Sequence, residues 1–316
     1  MQPRSRWKAV HGVLLLDKPL GLSSNDALQK ARRLFQAAKA GHTGTLDPLA
    51  TGLLPVCFGE ATRFAGLMLD ADKEYIAEVR LGIRTATGDA EGEVLQTREV
   101  TISEAALRQA LVAHTGDIDQ VPPMHSALKK DGKPLYEYAR AGETVERAVR
   151  HVRIHEIELQ QVALPVFTMR VLCSKGTYIR TLAEDIGEML GCGAHLTGLR
   201  RTRTGPLDLG RAFTLEQIAA LDEAAREALL LPADVLLQQM PGCRLSDAEA
   251  QRLTNGQPVS VRDADTDLPP LGGQILRAYA GPVFLGLVEV QGSRLRVKRL
   301  MPQDSTPKAQ KNPESA

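Results

Sequence analysis

Two stretches of strict alternation do most to limit what this 316-residue chain can fold into. In Lys73–Leu81, residues Tyr75, Ala77, Val79 and Leu81 fall on one side, with Ile76, Glu78 and Arg80 on the other. Phe167, Met169, Val171 and Cys173 repeat the pattern. A period of two with one apolar side marks a strand that covers a core and keeps its other face polar. Antiparallel sheets accommodate such strands; parallel sheets, covered on both faces, want continuous apolar runs. Helical segments occur between the strands without a regular strand–helix–strand rhythm. The expected class is therefore α+β, a mixed, largely antiparallel sheet with a small β-rich module at the C-terminus.

Local signals fill in the elements. His11–Leu16 and Leu53–Phe58 read as buried strands. Ser23 and Ser24 are candidate N-caps for a helix over Asn25–Gln36, with Leu28, Ala31 and Phe35 on one face. Ala61–Leu69 reads as a short helix, and Ser103 caps another that runs to His114 and stops at Gly116. Residues 120–145, with Lys129-Lys130-Asp131-Gly132-Lys133, Tyr136 and Tyr138, read as an exposed basic hairpin leading into a short helix, an arm with little to bury. In Val149–Leu159 the apolar phase switches between Ile154 and Ile157, which predicts a bulge at His155-Glu156. A helix follows Tyr178 and ends at Gly191; Leu196–Arg203 is a strand, and 214–239 is helical. Beyond Met240, a short helix (Ser246–Leu253) precedes strands at 275–279, 283–290 and 295–299, about sixty residues of small β module. Residues 302–316 read as a disordered tail.

Bulk properties exclude several classes. No apolar run is long enough to span a membrane, and the basic Met1–Lys8 leads into no signal-type h-region. Cys57, Cys173, Cys192 and Cys243 are scattered without metal-ligand spacing, which argues against a zinc site and fits the reducing cytoplasm. Neither a dinucleotide nor a P-loop glycine motif is present, so no nucleotide cofactor is expected. Net charge is +1, but it is segregated: residues 1–40 carry +6, 124–153 carry +3 and 196–211 carry +3, against −4 over both 70–93 and 216–235. One positive face for a polyanion, or merely solvated helices, would produce that distribution.

The chemistry centres on Gly41–Pro55, which sets one carboxylate, Asp47, in a turn of glycines and small hydroxyls just before an apolar strand. Such a carboxylate is reachable, and directed by Pro48. It suits a nucleophile or base, and it is also ordinary Asp-Pro turn chemistry. Tyr75 places a hydroxyl on an otherwise apolar strand face, where it needs a partner. Arg180 sits in the first turn of a helix, opposed to the helix dipole. Pairing with Asp47 would explain it, and would hold the carboxylate ionised by lowering its pKa.

Gly12–Ser24 (GVLLLDKPLGLSS), Gly41–Gly59 (GHTGTLDPLATGLLPVCFG), 72–82 around Tyr75, Met124–Ala139 (MHSALKKDGKPLYEYA) and Cys173–Arg201 together resemble the bacterial tRNA pseudouridine-55 synthases of the TruB type. The resemblance covers about the first 200 residues; that of the C-terminal module to PUA-type RNA-binding modules rests on length and pattern. It implies a catalytic unit over 1–240 with a basic arm at about 120–150, a PUA-like module over 241–301 and the tail over 302–316. It implies isomerisation of uridine 55 in the TΨC loop of tRNA, by base flipping, without cofactor or metal, in a cytoplasmic enzyme expected to be a monomer. Asp47 matches the family's nucleophilic aspartate, Tyr75 the tyrosine that stacks on the base, and Arg180 the arginine paired with the aspartate. His42 matches the histidine that fills the stack after the base leaves, Tyr178 and Leu199 line the uracil pocket, and Lys18-Pro19 shapes the catalytic loop. Lys18, Lys129, Lys130, Arg200 and Arg201 are the cations assigned to substrate RNA, with Lys133 and Arg203 beside them. Whether Asp47 attacks C1′, adds to C6 or assists loss of the C2′ proton stays open at this level. So do a folding-assistance role on tRNA and action on another RNA.

Overall fold

The computed structural model describes residues 7–262, 264–266 and 271–302. The first six residues, much of the Asp263–Gly273 stretch and the tail from 303 lie outside the described residues.

In chain order the first unit runs β1 (Gly12–Lys18), α1 (Ser24–Leu34), β2 (Ala40–His42), β3 (Ala50–Phe58), β4 (Lys73–Leu81), β5 (Ile83–Thr85), β6 (Val94–Thr97), α2 (Glu104–Ala113) and β7 (Gly116–Gln120). The hairpin β8 (Lys129–Lys130) and β9 (Lys133–Pro134) leads into α3 (Leu135–Arg140). Then come β10 (Arg150–Ala163), β11 (Val166–Cys173), α4 (Ile179–Met189), β12 (Ala194–Thr204), β13 (Leu207–Asp208), α5 (Leu215–Ala220) and α6 (Glu223–Ala228). Nine of these strands form one sheet in the order β1-β3-β12-β4-β11-β10-β7, with β2 beside β3 and β13 beside β12, while β5 pairs β6 and β8 pairs β9 apart from it. Every pairing in it is antiparallel but one: Leu199–Arg201 of β12 runs parallel to Ala50–Gly52 of β3. That seam needs Gly52, at φ +97°, because a Cβ there would stand 2.3 Å from the Arg201 carbonyl oxygen.

The alternation places Tyr75, Ala77, Val79 and Leu81 in the core, opposite Phe167, Met169 and Val171 across the β4–β11 ladder. Ser23 caps α1 by accepting from Asp26 N at 3.1 Å, and Ala27, Leu28 and Ala31 turn inward, with Phe35 stacked at 4.9 Å on Phe58. The bulge in β10 falls between Ile154 and Glu156, as the phase switch requires, and a second follows at Leu159/Gln161.

Two helical expectations need correction. Residues 61–69 form no α-helix but two 3₁₀ turns, Gly59–Arg63 and Ala65–Asp70, because Phe64, Met68 and Ala61 must all reach one apolar cluster within a short path. Residues 214–239 are not continuous: Leu221 leaves α5 in an extended conformation, Asp222 caps α6, and Pro232 introduces a 3₁₀ turn at Ala233–Leu237.

The arm, 121–149, is as exposed as its composition demands. Asp131 and Gly132, at φ 51° and 80°, make its hairpin turn. Lys133 and Arg140 lie over the rings of Tyr138 and Tyr136 at 4.4 and 5.3 Å, and Arg147 closes the base by donating to Pro122 O at 3.0 Å.

The C-terminal module holds β14 (Gly242–Leu245), α7 (Asp247–Thr254), β15 (Val259–Ser260), β16 (Asp265–Thr266), β17 (Ile275–Ala280), β18 (Val283–Gln291) and β19 (Arg294–Leu300). Its sheet order is β15-β19-β18-β17-β14-β16. Phe284 and Leu287 join Val13, Leu15, Leu53 and Phe64 in one buried cluster, with the Phe64 and Phe284 rings 5.6 Å apart. Tyr279 Oη donates to Asp234 at 2.8 Å beside them.

Helix α4, which carries Arg180, packs on β12 through Gly187; a Cβ there would stand 2.3 Å from Ala194 N. Gly187→Ala is expected to cost about 1–3 kcal/mol, because the obstacle is backbone and cannot rotate away. Thermal denaturation would register a drop of several degrees; an unchanged midpoint would contradict this close contact.

Candidate active site

The sheet's parallel seam sets the site's floor, and the turn before β3 carries Asp47. Ser24, the first residue of α1, grips that turn from both directions: its Oγ accepts from Leu46 N at 2.7 Å and donates to Leu46 O at 3.0 Å. Lys18, at the end of β1, is fully buried and donates to Leu22 O at 2.6 Å, Pro19 O at 3.0 Å and Pro48 O at 3.5 Å. Gly21 N also donates to Pro48 O, at 2.9 Å. Asp47 is thus fixed on its backbone side while 40% of its side chain still reaches solvent.

Arg180 faces it from α4. Its Nη2 lies 2.9 Å from Asp47 Oδ2 and donates to His125 O in the arm at 2.6 Å. Its Nη1 donates to Thr87 O at 2.8 Å and lies 3.5 Å from Oδ2 of a second, buried carboxylate, Asp89. Asp89 is tied down in turn, accepting from Glu91 N at 3.1 Å and from the Thr87 hydroxyl. One guanidinium therefore serves two carboxylates and two carbonyls, which makes full use of its planar set of donors.

The electrostatics refine one expectation. Burial pushes the Asp47 carboxyl above its ordinary value; the Arg180 charge pulls it back and Asp89 pushes it up again. Arg180 acts in the expected direction, but the net shift is upward, so the pair does not hold Asp47 below the usual carboxylate range. Burial also raises the phenols of Tyr75 and Tyr178 and lowers the His42 imidazole, the last with help from Arg201. Burial brings Lys18 down to about 8, against the opposing charge of Asp47.

Asp47, Tyr75, Arg180 and Tyr178 all fall within one electrostatic neighbourhood, since the Asp47 charge acts on both phenols. Tyr75 lies on β4 with its side chain in the core, and Leu199 lies between Ala50 and Ala77 at the seam. His42 ends β2, and its Nδ1 accepts from Gly44 N at 3.3 Å. Tyr178 precedes α4 and is held by the buried amide of Gln120, which donates to its carbonyl at 3.2 Å and accepts from its N–H at 3.0 Å.

The cations assigned to RNA divide. Lys129 is exposed on the arm, and Lys130, half-buried, reaches Glu146 O at 3.2 Å; both stand on the hairpin rather than at Asp47. Arg200 is partly exposed but pairs with Asp17 at 2.6 Å, and Arg203 faces Glu74 at 3.7 Å. Lys18 and Arg201 require correction: at 0% and 1% exposure neither can meet a phosphate. Both are long side chains turned inward to satisfy backbone carbonyls, which the sequence does not distinguish from surface cations.

Sequence reasoning missed Asp89, Gln120 and the Thr87 carbonyl. Asp89 did leave a signal: it follows Thr87-Gly88 in a turn after a strand, the same chemistry that singled out Asp47. Among the described residues no cluster of His, Cys, Asp or Glu could hold a metal ion. No helix there is long and apolar enough to cross a membrane.

Three family models match the chain: "TruB family pseudouridylate synthase (N terminal domain)" over residues 32–179, "tRNA pseudouridylate synthase B C-terminal domain" over 180–238, and "Pseudouridine synthase II TruB, C-terminal" over 241–301. The chain is 61% identical to the tRNA pseudouridine synthase B of Cupriavidus taiwanensis over 304 residues, spanning 95% of this chain and 96% of that one. It is 56% identical to the Burkholderia mallei protein of the same name, over 95% and 97%. Among solved structures, an H/ACA RNP bound to a substrate RNA containing 2′-deoxyuridine superposes with a TM-score of 0.73 at 25% identity, over 94% of this chain and 87% of that one. A Cbf5-Nop10-Gar1 complex gives 0.73 at 27%, over 95% and 88%.

Arg180→Met would leave Asp47 and Asp89 facing each other without a counter-ion. The expected cost near neutral pH is about 3 kcal/mol, the lower end of the range for a broken buried pair because Asp47 is partly solvated. Burial already raises the Asp47 carboxyl and losing the guanidinium raises it further, so the penalty is full above its folded value and fades as pH falls through it. Melting midpoints of both proteins across pH 4–8 should therefore converge toward acid; a gap that widens there would contradict the arrangement.

Proposed function

The chain belongs to the TruB family of pseudouridylate synthases and is an isomerase acting on tRNA; from that premise we propose that its target is uridine 55 in the TΨC loop, with Asp47 as the carboxylate that does the chemistry. The observation that carries this reading is the 2.9 Å contact between Arg180 and an Asp47 still open to solvent. A carboxylate aimed by a guanidinium, but not sealed by it, is poised to meet a nucleotide from outside.

Uridine and pseudouridine are isomers: the N1–C1′ bond breaks, a C5–C1′ bond forms, C5 loses a proton and N1 gains one. Nothing is oxidised or reduced, so the reaction calls for no cofactor. Its barrier lies in reaching the bond, since a stacked uracil is closed to attack and must be flipped out. Tyr75 would lie against the extruded base, with Tyr178 and Leu199 lining the pocket, and His42, a planar ring kept neutral by burial, would fill the vacated stack. Asp47 then attacks C1′, adds to C6 or assists removal of the C2′ proton; we favour the sugar-directed routes. Arg180 compensates the charge Asp47 gains or loses along any of them. We take the protein to act as a monomer in the cytoplasm, a placement that its four scattered cysteines, without metal-ligand spacing, suit.

Recognition of a folded loop proceeds through shape and phosphates. The arm is suited to this, with Lys129 exposed and its aromatic rings partnered by cations.

Two experiments test the proposal. Asp47→Asn keeps the side chain's shape and removes its charge; with a T-arm transcript it should bind as wild type and form no pseudouridine. Turnover by this variant, or modification mapped away from position 55, would end the reading. Binding of T-arm RNA should weaken as salt rises, and Lys129→Ala/Lys130→Ala should flatten the slope of log K against log[salt] by roughly one to two. A salt response identical to wild type would remove the arm from the phosphate-binding face.

A further inference from the structure

Arg201 stands where the strands of the site meet. In β12 it lies opposite Gly52 of β3 on one side and Tyr75 of β4 on the other. It is 1% exposed, and among the described residues no carboxylate pairs with it. An uncompensated charge in that position is costly, whereas a methionine or leucine would fill similar space with no charge to bury. Packing alone does not account for a guanidinium.

Its donors reach two segments of chain. Nε donates to Leu53 O at 2.7 Å, in β3, and Nη2 to Gly44 O at 3.3 Å, in the turn that delivers Asp47. Across the β12–β4 ladder its register partner is Tyr75, so the two side chains leave the same face of the sheet. Gly52 accommodates the strand that carries it, since a Cβ there would stand 2.3 Å from the Arg201 carbonyl oxygen.

We propose that Arg201 is a positioning residue for the isomerisation: its guanidinium ties the Gly44–Asp47 turn to the Tyr75 strand, so that carboxylate and phenol meet the same uracil at a fixed separation. The inference rests on the reading of Asp47 and Tyr75 as the groups that face the base. It differs from a phosphate contact, which burial forbids, and from a plain structural strut, which would govern stability without governing the chemical step. Lysine retains the charge but offers one nitrogen on a flexible stem, and cannot hold the Leu53 and Gly44 carbonyls with separate, rigidly spaced donors.

The test is single-turnover modification of a T-arm transcript at saturating enzyme, well below each variant's melting midpoint, with RNA affinity measured in parallel. Arg201→Met is expected to lose about 100-fold in rate, the scale of an ångström-sized misplacement of reacting groups, with RNA affinity within about threefold of wild type. Arg201→Lys should fall between the two, a partial rescue that mere filling of space would not give. A folded Arg201→Met with the wild-type rate overturns the proposal, as does a loss of rate matched by an equal loss of affinity. If Arg201→Met does not fold, Arg201→Lys decides: the wild-type rate from it overturns the proposal. Asp47→Asn, run alongside, separates the two levels. Activity in it removes the reading of the site, whereas inactivity in it with full activity in the Arg201 variants removes only the positioning role.

Discussion

The site is organised by a guanidinium that cannot be moved without uncovering two negative charges. Arg180 stands between Asp47 and Asp89, and each group around it has a fixed place because the others do. Asp89 is buried and needs a cation; Arg180 is buried and needs carboxylates; Asp47, the most exposed of the three, is left with one face toward solvent. The helix bearing Arg180 is held on β12 by Gly187, and the turn bearing Asp47 is gripped by Ser24 and Lys18. Scaffold and chemistry thus meet at one charge-assisted contact. In a partly buried setting such contacts are stronger than on the surface and less tolerant of losing a partner.

Much of this was legible in the residues. The alternation in Lys73–Leu81 and Phe167–Cys173 specified strands with one buried face, and the phase switch at Ile154–Ile157 located a bulge. Tyr75 and Arg180 each broke a local expectation, and Arg180 proved to be in direct contact with Asp47, whose turn drew notice for its glycines and hydroxyls. What escaped has physical causes. The 3₁₀ turns at 59–70 and the breaks at Leu221 and Pro232 arise from how the chain must fit its neighbours, which local propensity does not encode. Lys18 and Arg201 read as surface cations because charge alone does not say whether a long side chain turns outward. Gln120 was silent because its partner is the backbone of Tyr178.

The one parallel pairing within the larger sheet shows how a mostly antiparallel sheet makes room for a site. Where β12 runs alongside Ala50–Gly52, the glycine at 52 lets the two backbones approach, and Leu199, Arg200 and Arg201 arrive beside the turn that carries Asp47. Of these neighbours in sequence, Arg200 faces out toward Asp17 and Arg201 faces in. One short stretch of strand therefore contributes surface and interior by alternation alone.

The bond from Arg180 to the carbonyl of His125 ties the arm to the site through main chain only. Any amino acid can supply that oxygen, so point substitutions at 125 pass unnoticed by the arginine, while a residue inserted or deleted near the arm's root would carry the oxygen out of reach. The join between the arm and the turn that carries Asp47 is thus written in chain length and not in residue identity, and a comparison of letters alone would overlook it.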